Sequence, residues 1–202
     1  MGTTKATDPV DQKLLELAAQ HIRRYGPKKT TIVAIAEEAG MSHANIYRYF
    51  PSKHALVDAV IEQWLKPIEK GMKDITDSPD PARDKLERLT SALFRAYRRK
   101  LEDDPELFDI FVTAALNSKG LARRHRNRIV TELRRMVEDG IASGSFAISD
   151  SRMGVLMILD GLSRFLNPVS VSQDREATAV DLEARMEKIS HIIFRSIASS
   201  EF

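Results

Sequence analysis

The sequence of 202 residues contains no cysteine, which excludes disulfides, thiol redox sensing and thiolate metal sites. It also lacks a long apolar run, since the longest, residues 155–159, is far short of the roughly 20 residues that a membrane span needs. Residues 1–10 are polar and contain no apolar signal core. The sequence therefore predicts a cytoplasmic protein that has no membrane partner.

The motifs of common enzyme classes are missing as well. There is no glycine-rich phosphate loop and no nucleophile elbow, and no histidine follows a glutamate by three residues, as a di-iron helical bundle requires. The five histidines are dispersed along the chain, at His21, His43, His54, His125 and His191. We expect a protein that is not an enzyme and that uses no cofactor and no metal.

Charged residues are abundant but unevenly distributed. Over the whole chain, 31 Lys/Arg nearly balance 29 Asp/Glu. Residues 1–55 hold eight basic and five acidic side chains, whereas the remaining residues hold 23 basic and 24 acidic ones. A basic N-terminal region on a near-neutral remainder indicates a polyanionic partner for that region.

Apolar residues repeat with helical spacing along most of the chain, and no segment alternates as a strand would. The pattern predicts an all-α fold of nine helices, three in an N-terminal domain (residues 1–54) and six in a larger C-terminal domain (residues 55–202). The helix that begins after Ser52 is expected to bend or break near Lys66, because Pro67 falls inside its apolar pattern.

Two of the N-terminal helices are short and joined by a tight turn, which is typical of a helix-turn-helix unit. Thr31 and Ser42 are positioned to cap the second and third helices. Gly40 tolerates the left-handed backbone that reverses the chain between them. Ile46 and Phe50, at i and i+4, should anchor the third helix to the core.

The remaining side chains of the third helix suit the DNA major groove. Asparagine can bond adenine, arginine can bond guanine or phosphate, and tyrosine hydroxyls suit phosphate oxygens. The surface comprises His43, Ala44, Asn45, Tyr47, Arg48 and Tyr49. Lys53 opens the fourth helix, where free N–H groups and the helix dipole already favour an anion, so a phosphate clamp is expected there. The other interpretation is a helical hairpin whose polar face simply meets water.

The segment from Thr30 to Leu56 resembles the N-terminal signature of TetR/AcrR-family transcriptional regulators. The resemblance lies in Thr30-Thr31-Ile32, Ile35-Ala36, Ala39-Gly40-Met41-Ser42, Ile46-Tyr47-Arg48-Tyr49-Phe50, Ser52-Lys53 and Ala55-Leu56. The chain departs from the family pattern at Val33, where a basic residue is frequent, and near His54, where an acidic one is frequent. The motif covers about residues 10–60, and beyond it only length and helix number support the match.

The resemblance implies a bacterial, nucleoid-associated homodimer that binds a pseudo-palindromic double-stranded DNA operator. The larger domain of each subunit would hold an unidentified small-molecule effector, largely apolar, that releases the protein as a repressor from its operator. Carried over by position, the DNA-binding residues are Thr31, Ser42, His43, Ala44, Asn45, Tyr47, Arg48, Tyr49 and Lys53.

Aromatic and methionine side chains of the C-terminal domain are the candidates for the effector pocket. Such side chains suit an adaptable apolar cavity, although at helical spacing they are also ordinary core residues. The predicted lining is Trp64, Phe94, Tyr97, Phe108, Phe111, Val112, Met153 and Met157. For Trp64, filling the joint between the two domains is the preferred interpretation.

The basic stretch of residues 123–128 resembles a second nucleic-acid site at first sight. Consecutive residues of a helix point in different directions, so these charges cannot share one face. We interpret the stretch as a solvated, salt-bridged surface.

The last two long helices are the candidates for the dimer interface. The eighth helix should run from Ser149 or Asp150 to Asn167, and a polar connector (residues 169–176) should lead to a final helix of about residues 178–199. Small residues beside large ones suit helices that pack tightly across a two-fold axis, or within one bundle. The family usually pairs these helices between subunits, so the predicted interface is Gly154, Gly161, Leu162, Phe165, Met186, Ile189, Ile193, Phe194 and Ile197.

Two other functions stay open. The first is a regulator of the same fold that activates transcription or is controlled by a protein partner. The second, from a different class, is a helical ligand-binding or adaptor protein without a DNA role. A steep fall of DNA affinity with salt and a palindromic footprint would exclude the second.

Overall fold

The computed structural model describes residues 9–117 and 120–198, apart from the side chains of Pro9 and Asp11. Within these ranges all regular structure is helical, with eleven helices and no strand, which confirms the predicted all-α class. No helix in these ranges is long and apolar enough to cross a membrane.

The helices follow one another through short connections. They are α1 (Pro9–Lys29), α2 (Ile32–Glu38), α3 (His43–Tyr49), α4 (Lys53–Thr76), α5 (Ala82–Asp103), α6 (Pro105–Leu116), α7 (Gly120–Ala142), α8 (Ser151–Gly161), α9 (Ser163–Leu166), α10 (Pro168–Gln173) and α11 (Ala179–Ala198). The five longest, α1, α4, α5, α7 and α11, have between 20 and 24 residues each.

The chain divides into two compact units. In the described chain, the head unit comprises residues 9–65 and 104–111, and the body unit comprises Lys66–Asp103 with residues 112–117 and 120–198. Both α4 and α6 contribute residues to each unit. This division follows compactness, and the functional boundary predicted after residue 54 stays a prediction.

In the head unit, α1, α2 and α3 each bury one apolar face. The fully buried side chains are Leu14, Ala18, Ile22, Ile35, Ala36 and Ile46. Gly26 interrupts α1 with φ 77° and ψ 163°, and Gly40 follows α2 with φ 69°. Both φ values lie in the left-handed region that glycine adopts without a side-chain clash, so Gly26 allows a kink in α1 and Gly40 allows the predicted turn between α2 and α3.

Of the bend or break predicted near Lys66, the break is wrong, because α4 continues through Pro67 to Thr76 as one helix, whereas the bend stays a prediction. Proline lacks an N–H and removes one intrahelical hydrogen bond, which alone would weaken this turn. Buried apolar side chains on both sides of the proline, Leu65 at 1% exposure and Ile68 at 8%, hold the helix in place.

The predicted count of nine helices is also wrong for the described chain, because the single predicted eighth helix is divided. Leu162, with φ −104° and ψ 13°, separates α8 from α9. Asn167 ends α9 and caps α10 by accepting a hydrogen bond from the Val169 N–H at 2.9 Å, and Pro168 occupies the first helical position. The predicted polar connector therefore begins with a short helix.

The body unit is organised around α5 and α7. On α5 the buried face includes Leu86, Leu89, Leu93, Phe94 and Tyr97, and on α7 it includes Ile129, Leu133, Met136 and Val137. Helix α8 packs on α7, and α11 packs on both α5 and α8. Burial of these aliphatic and aromatic side chains provides the main stabilisation of the unit.

Candidate nucleic-acid interface and effector-binding body

Helix α3 separates an inner apolar edge from an outer polar face. Ile46 is fully buried and Phe50 is 8% exposed, which confirms that they anchor the helix. His43, Ala44, Tyr47 and Arg48 are exposed, and Asn45 and Tyr49 are partly exposed. The residues of α3 predicted to contact DNA are therefore all accessible, fully or in part.

The caps of the short helices differ in a way that the sequence does not reveal. The Thr31 hydroxyl accepts a hydrogen bond from the Ala34 N–H at 3.1 Å, so Thr31 caps α2 as predicted. Ser42 occupies the capping position of α3 but makes no capping hydrogen bond with its side chain. The exposed Ser42 hydroxyl is therefore available to an external group.

Lys53 begins α4 and is held by the chain that leaves α1. Its Nζ donates a hydrogen bond to the Lys28 carbonyl oxygen at 3.1 Å. An ammonium group has three N–H donors, so this bond fixes the position of the charge and leaves donors for a phosphate oxygen. The Ser52 hydroxyl accepts from the Ala55 N–H at 3.0 Å and caps the same helix, as predicted.

An aromatic cluster in the head unit contains three of the residues predicted to line the effector pocket. Trp64 packs edge-on against Phe108 and Phe111, with ring centroids 6.3 Å and 6.4 Å apart. The indole N–H of Trp64 donates to a carboxylate oxygen of Asp104 at 3.0 Å, and Arg23 also donates to this carboxylate. Asp104 thereby connects α1, α4 and the start of α6.

Other predicted pocket residues lie in the body unit and have different surroundings. Phe94 packs edge-on against Phe165 at a centroid distance of 6.2 Å, and both rings are almost fully buried. Met153 is 51% exposed, and Met157 and Val112 are partly exposed. The assignment of these eight residues to one pocket stays a prediction.

Tyr97 belongs to a polar chain inside the body unit that sequence reasoning missed. Its hydroxyl lies 2.9 Å from Nε2 of His125, and Nδ1 of His125 donates to Glu69 at 2.9 Å. Arg128 donates to both oxygens of Glu69 at 2.6 Å. His125 is 2% exposed, and its position between Leu121 and Ile129 on the apolar stripe of α7 was the available signal.

Burial and hydrogen bonding have opposite effects on the pKa of Glu69 in this series of side chains. Burial raises the pKa of the Glu69 carboxyl, but the hydrogen bonds from His125 and Arg128 outweigh it, so that its pKa lies below the ordinary 4.5. Burial, assisted by the charge of Glu69, raises the pKa of Tyr97. Glu69 is therefore ionised and Tyr97 neutral at physiological pH.

Five of the residues predicted for the dimer interface are core residues of the body unit. The exposure of Leu162, Phe165, Met186, Phe194 and Ile197 does not exceed 3% in the single chain. These five side chains have almost no surface left to offer a second copy, and the dimer interface itself stays a prediction.

The glycines of α8 also serve packing within the chain. A Cβ atom on Gly161 would lie 2.5 Å from Cδ1 of Ile193, and one on Gly154 would lie 3.0 Å from Cγ1 of Val137. These two glycines therefore let α8 approach α11 and α7 closely, as the intramolecular interpretation requires. The exposed apolar side chains of α8 and α11 are Met153, Leu156, Val180 and Ile192.

Two family profiles match most of the sequence. Residues 14–60 match the profile described as bacterial regulatory proteins, tetR family. Residues 82–190 match the profile described as Tetracyclin repressor-like, C-terminal domain. The two matches lie on either side of the C-terminal half of α4.

Among curated proteins, the chain is 34% identical over 84 residues to the HTH-type transcriptional repressor KstR2 of Mycobacterium tuberculosis. That match spans 42% of this chain and 42% of the length of KstR2, less than half of each protein. The match supports a family relationship but does not extend over the whole repressor.

Solved structures resemble the chain over nearly its whole length. A TetR-family regulator from Mesorhizobium loti has a TM-score of 0.70 at 14% identity, covering 94% of this chain and 97% of that one. FadR of Bacillus subtilis in complex with stearoyl-CoA has a TM-score of 0.64 at 17% identity, covering 95% and 99%. The ketosteroid regulator KstR2 has a TM-score of 0.56 at 22% identity, covering 96% and 97%. At such identities the likeness establishes the fold alone.

Proposed function

The chain belongs to the TetR family of bacterial regulatory proteins, and from that premise we propose that it is a homodimeric transcriptional repressor released from a palindromic operator by a small, largely apolar effector. It is a regulator and not an enzyme in this proposal. It acts in the bacterial cytoplasm on double-stranded DNA.

The burial pattern of α3 is the observation that carries the proposal. Ile46 is fully buried while its neighbour Tyr47 is 49% exposed, so the helix is fixed by one edge and presents the other. An α-helix fits the major groove, where Asn45 and Arg48 can bond base edges and the tyrosine hydroxyls can bond phosphates. In a dimer, two such helices enter successive major grooves about 34 Å apart.

The apolar character of the effector is supported by the structural neighbours of the chain. One neighbour is described as a ketosteroid regulator, and another was solved with stearoyl-CoA. We infer that the effector here belongs to the same lipid-like class, with an apolar part and, as in stearoyl-CoA, a phosphate-bearing head group.

Release of DNA requires only that the effector favour a conformation whose recognition helices no longer match the operator. A difference of about 1–3 kcal/mol in effector affinity between the two conformations lowers DNA affinity about 5–150-fold. Helix α4 is the element suited to this coupling, because its first residue is Lys53 and its second half includes Glu69 of the buried polar chain.

The dimer interface is proposed to use the apolar side chains that α8 and α11 leave exposed. Met153 and Leu156 on α8 are 51% and 38% exposed, and Ile192 on α11 is 64% exposed. Large apolar side chains at this exposure are unfavourable in water and suit a two-fold interface. The partly exposed Ile189 and Ile193 lie beside them on α11, so these two remain in the proposed interface.

The proposal is tested first on Lys53. DNA selected by the purified protein from random oligonucleotides supplies the operator, and K53E should lower affinity for it more than a hundredfold, about 2.7 kcal/mol, because charge reversal repels the phosphate at the clamp. Gel shifts measure the affinity, and sedimentation should show an unchanged dimer. The matched control is K13E, the same reversal at an exposed lysine of α1.

The complementary variant is I192R, which places a charge on the proposed interface and should yield a folded monomer with weak operator binding. Unchanged operator binding by K53E would contradict the clamp. An unchanged dimer in I192R would contradict the interface while leaving DNA binding in place.

A further inference from the structure

Among the described residues of the body unit, the basic side chains of Lys85, Arg98 and His125 are buried, and their polar contacts serve different purposes. Lys85 donates to the carbonyl oxygen of Thr76, the last residue of α4, at 3.2 Å. Arg98 donates to the carbonyl oxygens of Asp174 and Ala177 at 2.8 Å and 3.0 Å, in the connection before α11. These two cations satisfy backbone groups at helix ends, which is a structural task.

The third, His125, is hydrogen-bonded to the side chains of Tyr97 and Glu69. It joins side chains from the middle of α4, α5 and α7. This series of hydrogen-bonded side chains ends at Arg128 on the protein surface. A buried polar network costs desolvation that an apolar core would avoid, so this one calls for another role.

Glu69 and Arg128, at the surface end of this series of side chains, line a groove of about 530 Å³ between α4 and α7. It is lined by Lys66, Glu69, Lys70, Met72, Lys73, Arg128 and Glu132. Met72 forms apolar floor at 3% exposure, and the side chains of Glu69 and Glu132 are each only 15% exposed. The accessible charges of the groove are therefore mainly those of its lysines and of Arg128.

The basic side chains of the groove differ in whether they already have an ion-pair partner. Lys73 pairs with Asp77, and Arg128 pairs with Glu69 through one guanidinium nitrogen, Nη1. Lys66 and Lys70, one helical turn apart on α4, are exposed and have no hydrogen-bond or ionic partner within the described residues. Since Arg128 is itself 53% exposed, it can donate from its other nitrogens to a group in the groove.

We propose that the groove between α4 and α7 binds the phosphate groups of the effector, with Lys66, Lys70 and Arg128 as the binding side chains. This assignment rests on the proposed role as an effector-controlled regulator. A phosphate carries up to two negative charges and three acceptor oxygens, which matches two lysines one turn apart and a partly free guanidinium.

An anion bound in the groove also affects the buried series of hydrogen-bonded side chains. A phosphate on Arg128 shares the guanidinium with Glu69, and Glu69 is the residue through which α4 holds His125 and, through it, Tyr97. The same anion attracts Lys66 and Lys70, which lie on α4 as well. Binding therefore adds a second α4–α7 connection, through the ligand, to the existing one through the Glu69 carboxylate.

Coenzyme A is the probe for this site, because it carries the phosphates without an acyl chain. Isothermal titration with the full chain at low salt should detect coenzyme A, whereas pantetheine, which lacks the phosphates, should not bind. Palmitate, a carboxylate with a long apolar chain, distinguishes a phosphate site from a general anion site. Affinity for coenzyme A should fall with added salt, because the interacting charges are exposed.

The decisive variant is K66Q/K70Q, which changes two exposed side chains and should lower coenzyme A affinity about tenfold, equivalent to about 1.4 kcal/mol. R123Q/R126Q is the matched control, since it removes two exposed charges of α7 that do not line the groove, and it should bind normally. R128Q should weaken binding further, and its thermal unfolding shows whether the fold survives.

Three results would overturn the assignment. They are equal losses in K66Q/K70Q and its control, palmitate displaced by coenzyme A from the same groove, and absence of coenzyme A binding by the wild-type chain. Weaker operator binding by K66Q/K70Q without any ligand would identify the groove as a DNA contact and overturn it too. Because operator binding is measured separately, a failure here leaves the repressor proposal standing on the K53E result.

Discussion

The head and body units place their polar side chains in opposite ways. On α3 the polar side chains are exposed, and within the described residues Ser42 makes no capping bond. In the body unit, Lys85, Arg98 and His125 are buried and hydrogen-bonded to carbonyl or side-chain groups of their own chain. Exposed side chains that take no part in core packing can change their contacts without unfolding the protein. A change in a buried network affects stability and function at the same time.

The largest expected effect contrasts one aromatic residue from each unit. F94A should lower the free energy of unfolding by about 3–5 kcal/mol, because it removes a buried ring that packs on Phe165. Y47A should change that free energy by less than about 0.5 kcal/mol, since Tyr47 is 49% exposed, yet it should weaken operator binding. Urea denaturation and gel shifts measure the two properties. If Y47A unfolds as easily as F94A, the contrast between the units fails.

A smaller effect tests the buried polar chain through its pH dependence. The pKa of Glu69 is lower in the folded chain than the ordinary 4.5, so its stabilising contribution is present above that pH and is lost as the pH falls through the folded value. E69Q should therefore cost about 1–3 kcal/mol at pH 7, and this difference should shrink as the pH falls below about 4.

Thermal and urea unfolding of wild type and E69Q across this range measures the difference. E183Q provides a control on α11, where the carboxylate pairs with an exposed arginine, Arg95. A difference between wild type and E69Q that stays constant with pH would show that Glu69 does not act through its charge.

The smallest expected effect sharpens the comparison within the head unit. T31A should cost about 1 kcal/mol of stability, because it removes the hydrogen bond from the Ala34 N–H. S42A should cost much less, since the Ser42 side chain makes no such bond. Equal losses in urea denaturation would mean that Ser42 caps α3 in solution. A loss of operator affinity in S42A without a loss of stability would support its predicted DNA contact.

The head was predictable in detail because its signals are local. Gly40, the caps at Thr31 and Ser52, and the i, i+4 pair of Ile46 and Phe50 act within a few residues of their own position. Local patterns of this kind specify helix ends and buried faces directly.

The body was harder to predict because its decisive partners are distant in sequence. Glu69 and His125 are 56 residues apart, and nothing near either residue identifies the other. For α8 and α11, periodicity identified the apolar stripes but not the residues they pack on, so it did not reveal that Leu162 and Phe194 are buried within their own chain. At Pro67, packing on both sides overrode a local signal for a break.

The division of α6 between the two units has a consequence for the construction of hybrid regulators from this chain. Asp104 receives hydrogen bonds from Trp64 and Arg23, and residues 104–111 belong to the same compact unit as residues 9–65. A graft that joins this operator-reading module to a foreign receptor at residue 54 would discard both the indole and its carboxylate acceptor. The transplant should carry residues 1–65 together with the segment from Asp104 to Phe111, or supply an equivalent tryptophan–aspartate pair in the recipient.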